Sequence, residues 1–325
     1  MIARIAALAG ALALAATAAA LPAAAAEKEK PDLAEAKAIE LKSIVSGKQT
    51  IDPAKAYIFI RSPLNRSQGL FLKTPSAAEI ANYENEWKRQ FAKAQERYAR
   101  DLKTWEATAK SGSRGRKPEE PTAESFAITP IEMRMLVAFG PQFVFDKVDA
   151  PGTEKSFSYL VEVEPGEYTF LGPLFYLPGA APAGTCYCMG SVKFEAKAGQ
   201  ITSLGDFLSL GWADRKALEQ TTVVREFLPD RPARPTDWSV PEALAKYTFA
   251  RAELRAAGKR NNFLNAMVGR IPPVPGVLAY ERDVPVDLVG QAEEEAAEAI
   301  EAAVAEATAA TEPAASPAPT PAPAP

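Results

Sequence analysis

The chain has 325 residues, 47% of them hydrophobic, with 37 basic and 41 acidic side chains, two cysteines and no histidine. The missing imidazole removes the commonest general base and zinc ligand and the middle member of Ser/His/Asp and Cys/His machines, which excludes most hydrolase mechanisms. The formal charge is −4, but seven glutamates lie beyond Gly290 and one arginine in the first 26 residues, so the body is near +2 and shows no charge footprint for nucleic acid.

Met1-Ile-Ala-Arg4, an alanine-rich apolar run and Ala24-x-Ala26 ahead of Glu27-Lys-Glu-Lys30 have the form of a secretory signal peptide over 1–26, cleaved after Ala26. A soluble mature protein in the periplasm or secreted is expected, in an oxidising space. No cysteine follows the cleavage point to carry a lipid. No later apolar run reaches the ~20 residues of a membrane helix, so no transmembrane anchor is expected.

Residues 27–50 are charged, with a short helix expected from Leu33 to Val45. Strand signals open the next region, 51–212, at Ala56-Tyr-Ile-Phe-Ile-Arg61 and Leu70-Phe-Leu-Lys73. They resume at Ile131–Phe139, Phe143–Phe145, Ser156–Val163, Tyr168–Leu171, Ser191–Glu195 and Ile201–Leu204. Pro165-Gly166, Pro178-Gly179 and Ala198-Gly199 punctuate them, a spacing that reads as an antiparallel β-sandwich. Val163-Glu-Pro-Gly-Glu-Tyr-Thr-Phe170, followed by Val192–Gly205 with its Phe194, Gly199 and Leu204-Gly205 pattern, resembles the paired hairpins of small β-sandwich modules in bacterial envelope proteins. The resemblance covers about a third of the chain and implies an accessory or binding role, with no site residues to transfer.

Between the strands, Ile80, Tyr83, Trp87, Phe91, Ala94, Tyr98, Leu102 and Trp105 recur at steps of three and four, which predicts one helical insertion over 79–110. Its length is on the order of 45 Å. Two destinations suit the stripe: the protein's own sheet or a helix near Pro241, or a partner or second copy docking on Tyr83, Trp87, Phe91, Tyr98 and Trp105. A flexible basic loop at 111–125 follows, with Arg114, Arg116 and Lys117 as further candidates for interaction.

Region 213–289 begins with a Pro/Arg-rich linker at Leu228–Pro235. A second helix is expected from Ser239, with Pro241 and Glu242 in its first turn and Gly258 beyond its end. Arg270–Tyr280 should run extended along the body. Residues 290–325 form an acidic, alanine-rich and Pro/Ala tail, in which 290–310 can form a weak helix and the final repeat is disordered or a spacer.

Cys186-Tyr-Cys188-Met189 leaves three readings open. In a regular strand the two Cα atoms would stand near 7 Å apart, so a disulfide needs a bend that Gly184 and Gly190 can supply. Buried free thiols are the second reading. A soft-metal site for copper(I), with Cys186, Cys188 and Met189 as donors, is the third. Glu162, Glu164, Glu167, Glu281, Asp283 and Asp287 supply carboxylates, but no spacing selects a catalytic pair.

The sequence thus predicts a mainly β protein with helical additions: a sandwich interrupted by one long α-helix, then a C-terminal helix and an extended segment. No cofactor is expected. The expected role is a non-enzymatic envelope structural or interaction protein, working through an envelope partner or self-association along helix 79–110. The alternative is soft-metal handling or redox assistance.

Overall fold

Ala56-Tyr-Ile-Phe-Ile60 places five apolar residues in a row, and all five are fully buried. A strand solvated on one face would alternate, so this run demands cover on both faces. The computed structural model supplies that cover. It describes residues 36–63, 68–110, 112, 115–141, 144–148, 156–176, 181–208 and 236–310, all within the unit Asp32–Pro325. The segment expected as a signal peptide, the linker expected at Leu228–Pro235, Arg114 and the Pro/Ala repeat lie outside the described residues.

In chain order the elements are β1 (Lys37–Ala38), α1 (Leu41–Val45), β2 (Ala56–Pro63), β3 (Gly69–Lys73), α2 (Ala77–Lys110), α3 (Ile131–Arg134), β4 (Leu136–Phe139) and β5 (Val144–Val148). They continue with β6 (Ser156–Val163), β7 (Gly166–Gly172), β8 (Leu174–Phe175), β9 (Ala183–Cys186), β10 (Ser191–Ala196), β11 (Ile201–Ser203) and β12 (Phe249–Arg251). The last are β13 (Arg255–Ala257), β14 (Met267–Val268), β15 (Leu278–Glu281), β16 (Val284–Asp287) and α4 (Leu288–Ala310). The protein is mainly β with helical additions.

One sheet runs β1-β6-β2-β11-β12, with β5 also on β6; its β2–β11 and β11–β12 pairs are parallel. The second sheet runs β13-β10-β7-β3-β4 and is antiparallel throughout. The Pro165-Gly166 and Ala198-Gly199 turns are corners rather than hairpins, since each carries the chain from one sheet to the other. Tyr168 pins the first corner. It is fully buried, and its hydroxyl donates to the Glu164 carbonyl at 2.5 Å.

Side-chain alternation sorts each strand between clusters. Ala56, Ile58, Ile60, Tyr159 and Val161 of the first sheet share a cluster with Phe71, Phe139, Tyr168, Phe170, Val192 and Phe194 of the second. Phe71 is its hub, with the rings of Phe139, Phe170 and Phe194 centred 5.4–5.8 Å away. Tyr57, Phe59, Leu160 and Ile201 face the other way, onto Ile39, Ile44 and Leu244. Leu70, Leu72, Leu136 and Leu171 face outward from the second sheet onto Leu174, Cys186, Cys188 and Leu264.

Three expectations are corrected. The helix from Leu33 is confined, within the described residues, to α1, because Lys37–Ala38 pairs with β6. The helix after Ser239 is a single 3-10 turn, Glu242–Leu244, followed by β12 and β13. Its helical punctuation is overridden by burial: Leu244 is fully buried under the first sheet, and Phe249–Arg251 satisfies its backbone on β11. The strand expected over Ile131–Phe139 is confined to β4, since Ile131–Arg134 turns as α3. The weak helix expected over 290–310 is present as α4, through Ala310.

Candidate interaction surface

Ser76-Ala-Ala-Glu79 is a capping box. Ser76 N–H donates to Glu79 Oε2 at 2.8 Å, and Glu79 N–H donates back to Ser76 Oγ at 3.3 Å. The same carboxylate receives Lys73 Nζ at 2.6 Å, from the end of β3. Burial works to raise the Glu79 carboxyl, but Lys73 and the two Ser76 donors outweigh it and hold the group below the ordinary range. Two turns on, Arg134 of α3 forks onto Glu86 and stands 5.4 Å from the Tyr83 ring centre. That guanidinium holds the Glu86 carboxyl low as well. One ion pair therefore fastens the base of α2 to β3, and a second fastens it to α3, the turn that leads into β4.

Beyond that base the helix leaves the sheets. It has 34 residues, about 51 Å at 1.5 Å per residue, and none is buried. Among the described residues no strand makes extended contact with it. Its aromatic stripe is half-buried, and what covers it is the chain's own return path. Trp87 and Phe91 stack at 5.0 Å, and Phe126 closes on both at 5.9 and 5.3 Å. Trp87 Nε1 donates to the Phe126 carbonyl at 3.3 Å, and Trp105 Nε1 donates to the Gly115 carbonyl at 2.7 Å. Pro118, Pro121 and Ile128 are half-buried along the same return. Tyr98 is half-buried in the stripe between the two tryptophans, whereas Arg116 and Lys117 are exposed at the turn, with Arg116 paired to Glu119.

The insertion has a narrow root, since β3 and β4 are antiparallel neighbours with Leu72 opposite Leu136. Everything from Thr74 to Met135 is thus one excursion from a hairpin. On the face opposite the stripe, Arg89, Lys93, Arg100, Lys103 and Lys110 are all exposed, with Glu96 the one acid among them.

The sulfurs lie elsewhere, on the outer face of the second sheet. Cys186 and Cys188 are bridged, with Cα atoms 5.1 Å apart. The bend is present: Gly184 and Gly190 both have positive φ, and the chain turns at Cys188–Met189. Both cysteines are buried among leucines, Met133 and Met135 pack against their cluster, and Met189 is half-buried beside it. Met267 of the neighbouring β14 is exposed. Met133, Met135 and the two cysteines therefore share one cluster on that face.

The candidate carboxylates are dispersed. Glu162 accepts the Tyr57 hydroxyl at 3.0 Å, Glu164 pairs with Lys55, and Glu167 pairs with Lys193. Asp287 pairs with Arg255 and Asp283 with Arg270, while Glu281 is exposed. Among the described residues no three His, Cys, Asp or Glu groups converge to hold a metal, and no helix is long and apolar enough to cross a membrane.

Sequence reasoning missed Phe126, Arg134 and Lys73. Ser76-x-x-Glu79 was readable as a capping box, but the partners of Trp87 and Glu86 lie 39 and 48 residues away, beyond any local signal. Comparison with protein-family models, curated proteins and solved structures finds no match for the chain.

Proposed function

We propose that this is a non-catalytic interaction protein of the cell envelope, periplasmic or secreted, whose two main sheets form a β-sandwich that presents the α2 hairpin to a partner. One observation carries the reading: a 34-residue helix with no buried residue, whose ion pairs to β3 and α3 among the described residues lie at its base. A helix serving the core would bury its apolar stripe against the sheets. Here the return segment half-covers the stripe, and the opposite face is left to solvent. The leader and the turn patterns shared with envelope modules support the location and the accessory role.

The narrow root makes the test direct. Replacing residues 75–134 by a short turn, with Lys73→Thr to remove the stranded ammonium, should leave a folded β body that no longer fractionates with the envelope. Undiminished association of that variant would refute the reading.

A second reading is favoured by the gathering of sulfur. Once a dithiol reductant opens the Cys186–Cys188 bridge, two thiols beside methionine thioethers make a soft-donor set suited to copper(I). Anaerobic titration of the reduced protein with copper(I) against a chromogenic chelator tests it. Unchanged uptake in the Cys186→Ser, Cys188→Ser variant rules it out.

A further inference from the structure

We propose that the occupant of the α2 outer face is a second copy of this chain, docking through its acidic helix α4. The inference rests on the reading of α2 as the interaction element and names its partner. Arg89, Lys93, Arg100, Lys103 and Lys110 follow one another at helical spacing, a basic ridge about 31 Å long at 1.5 Å per residue. None of the five has an ion-pair partner among the described residues.

Helix α4 carries the opposite sign. Between Leu288 and Ala310 it holds six glutamates and no lysine or arginine. Its root is fixed to the body: Leu288 N–H donates to the Val277 carbonyl at 3.0 Å, and Arg255 reaches Asp287 and Glu293. From Gln291 to Val304 every residue is exposed, Ile300 at 66% and Val304 at 60%. Glu294, Glu298 and Glu301 fall on one face at steps of four and three, and none has an ion-pair partner among the described residues.

Both faces crowd like charges. Glu294 with Glu298 and Arg89 with Lys93 are like charges at i,i+4, each pair costing a few tenths of a kcal/mol, and an exposed alanine-rich helix is marginal in water. Laid side by side, the two faces turn these repulsions into attractions. Among the described residues α2 and α4 make no extended contact within one copy, which leaves each face open to the complementary face of another.

Sedimentation velocity on the mature chain tests this. Association is expected at low salt and its loss at high salt, because exposed charges are screened within about 10 Å at 0.1 M. Glu294→Lys, Glu298→Lys, Glu301→Lys should weaken association on the order of tenfold to a hundredfold. Arg89→Glu, Lys93→Glu, Arg100→Glu, Lys103→Glu should do the same, and an equimolar mixture of the two variants should associate again. Circular dichroism verifies that both remain folded. A monomer at low salt overturns the proposal, as does a basic-face variant that dissociates while the acidic-face variant does not, which would assign the ridge to another anionic partner. A monomeric chain whose envelope association still depends on residues 75–134 would sink this inference alone. An associating chain whose envelope association survives that deletion would sink the functional reading alone.

Discussion

Lys73 Nζ lies 2.6 Å from Glu79 Oε2, so the last residue of a buried strand and the cap of a solvent-exposed helix share one ion pair. The lysine side chain is 5% exposed and the glutamate 29%. Substituting Glu79→Gln leaves a buried ammonium without its counter-charge, for an expected loss of about 2 kcal/mol in urea unfolding. Lys73→Met in the same background should recover most of it. If the single and double variants unfold alike, the pair does not set the helix root.

Acid should loosen the same root. Glu79 and Glu86 are both held below the ordinary carboxylate range, the first against burial by Lys73 and Ser76, the second by Arg134. As pH falls the unfolded carboxylates take up protons first. The stabilisation is therefore whole above the ordinary glutamate range and is lost as pH drops through the lowered values. Amide exchange over Ala77–Phe91 should accelerate below about pH 4, beyond its intrinsic pH dependence, before the β strands open. Uniform exchange across helix and sheets at that pH would contradict this.

Trp87 and Phe126 close the hairpin 39 positions apart. A double-mutant cycle of Trp87→Ala and Phe126→Ala should give a coupling of about 1 kcal/mol in the local opening of the return segment, with the exchange of β2 and β6 unchanged. Additive effects would show that the two rings stabilise the hairpin independently.

Gly172→Ala should be among the most damaging small changes. At φ 126° the position suits glycine, and an added methyl would collide with the Thr185 carbonyl. A loss of about 3 kcal/mol or more is expected from the clash and the backbone strain together. Gly276→Ala is the control: its φ is 71°, but the space around it is open, so about 1 kcal/mol is expected. Equal midpoints for the two variants would contradict the steric account.

Much of the framework was legible because its signals are local. Ala56–Ile60 and Ser156–Val163 announce strands by their β-branched and aromatic content, and the three-four spacing of Tyr83, Trp87, Phe91 and Tyr98 is the period of a helix. The segment after Ser239 misled for the same reason. Ser239, Pro241, Glu242 and Gly258 are sound helix punctuation, but nothing nearby in the chain reveals that Leu244 and Phe249 will be drawn under the first sheet.

Composition alone removed histidine chemistry, and short-range periodicity alone dictated strand-rich architecture with one long amphipathic helix, because both depend on side chains within a few residues of each other. Where the helix stands was decided by contacts that only the folded chain makes: Lys73 and Arg134 gripping its base, Phe126 and Gly115 returning to its tryptophans. An aromatic stripe has the same spacing whether it meets a sheet, a partner or its own chain. Its destination is set by which long-range burial costs least in loop closure and backbone satisfaction, a quantity that has no local sequence signature.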